Sequence, residues 1–409
     1  EIGSGLVGSE MCIRDRFLHR PDWFEYGKLR LSWGKNGNRA VGTYAAFMQL
    51  APRKYIYVDP ATGSLVTANT FYASTMANPN LKWESTTSWN IGTDLTFLKG
   101  RLSANLDVYK KITTDLLVSR ELPSLIGYSS VMSNIGEVQN TGVELSLNST
   151  NIRMDKLTWR TSFSLAYNKN KITHLYGIME DVKDADGNVI GQREADDIKN
   201  KRFIGHDIDE IWDYKVVGIW QEEEREEAAK YGQQPGDVHL LDKDMNYKYD
   251  NTDKEFQGTT MPRLRWSMRN DFTLFKNFNI SFNMYSYIGH KKTLGRFTND
   301  NALLNVTNQI KRDYWTPENR NNEYPRLANK KPAGVSYAIY KNASFLRFDN
   351  ISIGYTFPKK LIEPLRIQNL NVNATMKNAG YISGWPGYDP ENSDANTPRV
   401  IYFGINLTL

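Results

Sequence analysis

The chain is 409 residues long and carries 51 Lys and Arg against 46 Asp and Glu, a net charge of +5 that is too balanced for a nucleic-acid binder. Its single cysteine, Cys12, excludes a disulfide framework and a thiolate metal centre. Mean hydropathy is -0.57 and no run reaches about 18 apolar residues, which excludes membrane-spanning helices but not a β-barrel, half of whose strand residues face water.

Residues 1–16, EIGSGLVGSEMCIRDR, share no pattern with the rest of the chain and read as a non-native tail, similar to a translated sequencing adaptor. Gly3, Gly5 and Gly8 have G-x-G-x-x-G spacing, but no strand precedes them and no helical pattern succeeds them, so no dinucleotide site is inferred. A first strand is expected to rise at Lys28. Trp89, Ile91, Leu95 and Phe97 then alternate with Asn90, Gly92, Asp94 and Thr96, and Leu102, Ala104, Leu106 and Val108 with Ser103, Asn105 and Asp107. The same period of two returns at Val143–Leu147, Trp159–Tyr167, Leu264–Leu274, Phe278–Met284, Leu370–Met376 and Ile401–Leu409. Between Leu346 and Phe357 the apolar parity changes, which predicts a bulge near Asp349 and Asn350.

A soluble sandwich also alternates, so the connections decide between the two. Leu98–Arg101, Asn151–Lys156, Lys276–Asn277 and Pro358–Arg366 are tight links, whereas 116–136, 176–260, 291–343 and 379–397 are long. Alternating short and long links place all tight turns on one side, as a transmembrane antiparallel β-barrel with long extracellular loops requires. Trp159, Tyr167, Trp266, Tyr355 and Phe357, near strand ends, suit an interfacial aromatic girdle.

LRLSWGKNGN (Leu29–Asn38), NPNLKWEST (Asn78–Thr86), GEVQNTGVELSL (Gly136–Leu147) and GIWQEEEREEAAKYGQQPGD (Gly218–Asp237) resemble SusC/RagA-type TonB-linked outer-membrane proteins. So do DYWTPENRNNEYPR (Asp313–Arg326), FLRFDNISIGYTFP (Phe345–Pro358) and NAGYISGWPGYDPEN (Asn378–Asn392), in the family's order across 17–409. The resemblance implies an all-β barrel of roughly 22 strands around an N-terminal plug, of which this chain supplies about ten from the C-terminal half. It further implies import of glycans or peptides across the cell outer membrane, with a SusD-like surface lipoprotein as partner. The TonB complex would act through the N-terminal part. Plug, TonB box and signal peptide are expected to lie outside this chain, so the fragment is not expected to transport alone. An open or irregularly closed sheet is the expected shape.

Two local features carry candidate chemistry. Asp242, Asp244, Asn246, Asp250 and Asp253 occupy positions 1, 3, 5, 9 and 12 of an EF-hand-like loop, an oxygen-rich spacing suited to calcium. Tyr247 stands where the turn glycine belongs and Asp253 where the bidentate glutamate belongs, so a solvated acidic loop is the competing reading; no cofactor is required. Trp315, Trp385 and Tyr388 are loop aromatics able to stack on sugar rings or anchor a partner, or, for Trp385 and Tyr388, to brace the Pro386-Gly387 turn. Glu222–Glu227 reads as a short exposed helix. The five histidines lack metal spacing, and no hydrolase or nucleotide motif occurs, so the chain is not expected to be an enzyme. Two alternatives to the importer are a soluble secreted β-rich glycan-binding or glycoside-hydrolase domain, and a TonB-dependent siderophore receptor.

Overall fold

The computed structural model describes residues 9–12, 21–38, 44–122, 124–128, 130–184, 186–294, 313–327, 329–392 and 395–409. Alternating sequence becomes one antiparallel sheet of eleven strands, bonded in chain order. The first is the short strand Ser9–Cys12. The other ten are β1 (Phe24–Asn38), β2 (Glu84–Phe97), β3 (Leu102–Thr114), β4 (Glu137–Arg153), β5 (Leu157–His174), β6 (Leu264–Leu274), β7 (Phe278–Ile288), β8 (Phe345–Thr356), β9 (Asn369–Ser383) and β10 (Val400–Thr408). They run from 9 to 18 residues, enough to cross a bilayer when tilted.

The links alternate as expected. Residues 98–101, 154–156 and 275–277 close three hairpins, with Leu98, Lys99, Gly100, Phe275 and Lys276 in the left-handed region that such turns need. The fourth tight side, between β8 and β9, holds the short helix Lys359–Ile362. The other connections, 39–83, 115–136, 175–263, 289–344 and 384–399, all leave from the opposite edge; of the long link expected at 291–343, residues 295–312 lie outside the described residues. The bulge falls where the parity changes: Met284 pairs with Phe348 and Asn283 with Asn350, which leaves Asp349 unpaired.

Each face of the sheet has its own chemistry. On one face Trp33, Ile91, Val108, Ile353, Phe403 and Ile405 lie exposed, with Phe403 80% and Ile405 70% accessible. Side chains this apolar are not covered by any second layer of the described protein, so the face is built to meet a non-aqueous neighbour. A soluble sandwich would have buried them. A polar residue on that face, Asn270, is buried and accepts bonds from Trp159 Nε1 at 2.9 Å and Thr161 Oγ1 at 2.7 Å, while the Trp159 ring stacks on Phe272.

The other face is held by ions and amides. Arg30, Gly92 and Asp107 stand opposite one another on β1, β2 and β3, and the glycine lets the guanidinium cross the middle strand. Arg30 Nη2 donates to Asp94 Oδ1 and Asp107 Oδ2, each at 3.0 Å, and Asn90 Nδ2 donates to Asp107 Oδ1 at 2.9 Å. A Cβ built on Gly92 would fall 2.8 Å from Arg30 Cζ and closer still to Asp107.

The sheet is open. Among the described residues one outer edge is β10, and the strand Ser9–Cys12 occupies the other by pairing with Lys28–Leu31 of β1. An unsatisfied edge is a template for any extended segment.

Replacing Gly92 by valine in the full-length protein is expected to expel Arg30 from its two carboxylates and lower the unfolding free energy by about 1–3 kcal/mol. Because both changes remove the same contact, adding Arg30→Met is expected to cost less than about 0.5 kcal/mol more. Denaturant melts of the single and double variants check this; fully additive losses would show that the glycine and the ion pair act separately.

Candidate functional site

The dry core of the described chain is not in the sheet but beyond its long-loop edge. Tyr214, Ile219, Val238, Leu240, Leu294, Trp315, Tyr337, Ile339, Ala343 and Trp385 are all buried and packed together. They come from the loops 175–263, 289–344 and 384–399. Two buried carboxylates tie these loops to one another. Asp213 Oδ2 accepts from the Tyr340 hydroxyl at 3.0 Å and the Ala338 N–H at 3.3 Å; Asp237 Oδ1 accepts from Arg326 Nε at 2.7 Å and the Lys330 N–H at 2.9 Å. A buried charge without such donors would be strongly destabilising.

This core settles the place of two candidate aromatics. Trp315 is buried, donates its indole N–H to Gln221 Oε1 at 3.0 Å, and packs over Gly236, whose backbone has positive φ. Trp385 is buried in the same cluster with its ring laid against Gly387. Both rings are packed against protein. Tyr388 is half-buried, and its carbonyl accepts from the Tyr381 hydroxyl on β9. The acidic segment Glu222–Glu227 forms a 3-10 turn running into the helix Arg225–Lys230, in which Glu223, Arg225 and Glu226 are exposed, Glu222, Glu224 and Glu227 half-buried and Ala228 buried.

The five oxygen-bearing residues at 242–253 divide. Carboxylate atoms of Asp242, Asp244 and Asp253 lie within 4.8 Å of one another. Asp242 Oδ2 accepts the Tyr247 N–H at 2.9 Å, and Tyr247 takes a left-handed φ of 64° at the position where a glycine would be at ease. Asp253 is fully buried, its two oxygens receiving the N–H groups of Lys243 and Asp250. Desolvation, followed by the neighbouring Asp242, pushes the Asp244 carboxyl up, as crowded like charges require. Asn246 Nδ2 donates to Asp244 at 2.8 Å, and Asp250 caps the short turn Asn251–Asp253 through the Thr252 N–H.

The last loop is clamped to the polar face of the sheet. Arg347 on β8 is 2% exposed and donates through Nη2 to Asp389 Oδ1 at 2.6 Å, with Glu391 beside the same guanidinium. The Tyr285 hydroxyl on β7 donates to Glu391 Oε2 at 2.6 Å. Asp389 is held down at about 2: burial alone would raise it, but donors from Thr397, the Glu391 N–H and Arg347 outweigh that.

Below this clamp, strand register builds a site that alternation alone did not reveal. Across the polar face run two rows of facing residues. One is Glu144, Ala166, Arg265, Tyr287 and Phe345; the next is Ser146, Ser164, Ser267, Tyr285 and Arg347. Where the alanine and serines fall side by side the surface dips, and an open groove of about 410 Å³ forms between Glu144 and the two tyrosines. Arg265 lies over the Tyr287 ring, 5.3 Å from its centre. A second cavity of about 270 Å³ shares Glu144, Ala166 and Arg265 and continues to Asp207 and Asp209 in the loops. The signal that could have found the groove was present: Tyr285 and Tyr287 are aromatic at positions whose parity is polar.

The sequence profile of the family described as TonB dependent receptor-like, beta-barrel matches residues 17–379. Over 93% of its length the chain is 30% identical to TonB-dependent receptor SusC of Bacteroides thetaiotaomicron, covering 37% of that protein. Over 96% of its length it is 28% identical to TonB-dependent receptor P3 of Formosa agariphila, covering 38% of it. The chain thus spans under two-fifths of these curated relatives. Its fold is similar to that of the RagAB peptide importer in the open-open state, with a TM-score of 0.72 at 21% identity over 98% of this chain and 42% of that one.

The clamp has a pH signature. The Asp389 carboxyl titrates lower folded than unfolded, so its stabilisation is complete above about 4 and is lost as pH falls towards about 2. A spin label at Gly384→Cys in the full-length protein is expected to be immobilised from pH 7 down to about 4 and to become mobile towards about 2. With Asp389→Asn it should be mobile throughout; a label insensitive to both changes would show that the clamp does not hold the loop.

Proposed function

The chain belongs to the TonB dependent receptor-like β-barrel family of outer-membrane proteins, and from that premise we propose that it forms the C-terminal wall and outer loops of a SusC-type importer. The cargo is a glycan or peptide, the partner a SusD-like lipoprotein seated on the loop side, and the energy source the TonB complex acting on the part of the receptor that precedes this wall. The observation that carries this reading is the apolar face of a ten-stranded sheet, left exposed at Trp33, Ile91, Val108, Ile353, Phe403 and Ile405, with the long links all leaving one edge. Lipid satisfies that face, and the polar face becomes the lining of a hydrated passage. The same observation opposes the soluble glycan-binding or hydrolase reading, since a soluble domain would cover those side chains. The seven SusC/RagA-type motifs, and not a property of the loops, favour this class over siderophore receptors. Within the proposal, Asp242, Asp244 and Asp253 are the side chains that would hold a calcium ion in the outer loops, where it would relieve their mutual repulsion.

The full-length protein is expected to stay in the membrane pellet through a carbonate wash and to dissolve only in detergent. Cells producing it should take up a fluorescent oligosaccharide or peptide, and should lose that uptake when TonB or the neighbouring lipoprotein is deleted. Release by the wash, or uptake indifferent to TonB, would contradict the proposal.

A further inference from the structure

We infer that the groove between Glu144 and Tyr287 is a subsite for a neutral, hydroxyl-rich ring, that is, one sugar unit of an oligosaccharide on its way down the passage. The inference deepens the importer reading and rests on it, because only in that reading does the polar face line a route.

The groove has the size and the surfaces such a ring needs. Its volume, about 410 Å³, lies in the range of about 300–1,000 Å³ usual for small-ligand sites. Its floor is Ser146, Ser164 and Ser267, three hydroxyls that each donate and accept, as sugar hydroxyls do. Its wall is the pair Tyr285 and Tyr287, whose ring centres are 5.6 Å apart and which are further steadied by Phe345, 5.3 Å from Tyr287. Such a wall stacks on the apolar face of a pyranose at little cost in side-chain entropy. The rim charges are one carboxylate and one guanidinium, Glu144 and Arg265, so the site carries no net charge and offers a charged ligand no overall attraction.

Access and rigidity support the same assignment. The cavity beside Asp207 and Asp209 shares the groove's rim and opens it towards the loops, so a ligand arriving from outside reaches the rim first. The Tyr285 hydroxyl is fixed by Glu391 of the clamped last loop, which holds the wall in place before any ligand arrives. A preformed wall spares the ordering cost of binding.

The test uses the full-length protein in detergent, titrated calorimetrically with maltohexaose, cellohexaose, laminarihexaose and an uncharged Gly-Ser hexapeptide. At least one hexasaccharide is expected to bind. Tyr287→Ala, which removes the wall, and Ser164→Leu, which fills the floor, should each weaken it tenfold or more while unheated and boiled samples still migrate differently on gels, as a folded barrel does. Parent-like saccharide affinity in Ser164→Leu overturns the subsite. Binding of the peptide alone, or of no hexasaccharide at all, overturns the sugar assignment. Uptake in cells separates the two levels: TonB-dependent uptake undiminished in both variants sinks the subsite and leaves the importer, whereas TonB-independent uptake by the parent sinks the importer.

Discussion

A strand that crosses hydrocarbon must satisfy every backbone N–H and C=O within the sheet and must turn only apolar side chains to the lipid. Every other property of this chain derives from meeting both demands over ten consecutive strands. Side chains alternate between faces, so register can be kept only if each neighbour adopts the same parity, and a slip of one residue would drive Arg30, Asp107 and Glu144 into lipid. The paired rows that run unbroken from Arg30 through Gly92, Asp107, Glu144, Ala166, Arg265 and Tyr287 to Phe345 are the outcome. Where parity does change, at Asp349, the chain inserts one unpaired residue and resumes with its apolar side chains on the original face.

That division of labour moves the dry core out of the sheet. With lipid on one side and a hydrated passage on the other, the strands have no interior to bury, and the buried aromatic and aliphatic residues collect in the outer loops instead. Asp213 and Asp237 give those loops a fixed arrangement, and Arg347 ties the last of them to the barrel wall. The tight-turn side has no comparable body among the described residues. The described molecule is therefore polar along its axis, with its dry core at one end and the lining tyrosines directly beneath it.

Much of this is legible in the sequence, for a physical reason. A period of two survives in the letters because lipid tolerates few exceptions on its face, and the length of a link is visible without knowing its shape. Leu264–Leu274 is therefore legible to the residue, and the bulge at Asp349 from a parity change alone. The ends of β4 and β5 are not: both extend well beyond the alternating stretch, into Gln139–Gly142 and Asn168–His174, where polar residues occupy both faces above the membrane. Trp315 and Trp385 look alike on paper to an exposed sugar platform and to a core residue, and only the packing of three distant loops shows that both are core. The acidic spacing at 242–253 places three carboxylates together but does not show that Asp250 turns away to cap a helix turn. Of the groove the sequence carries only the two tyrosines at positions of polar parity, because its floor needs the register of four strands at once.

The opposed character of the two faces along each strand is tested most directly by single cysteines along β10. With Cys12 replaced by serine, fluorophores at Ile401→Cys, Phe403→Cys and Ile405→Cys in the full-length protein in vesicles should be quenched by nitroxide-labelled lipid. Cysteines at Tyr402, Gly404 and Asn406 should instead react with a water-soluble maleimide and escape that quenching. A period of two in the quenching is the expected result, and quenching that is uniform, or absent, along the strand would contradict a lipid-facing row opposed to a lumen-facing one.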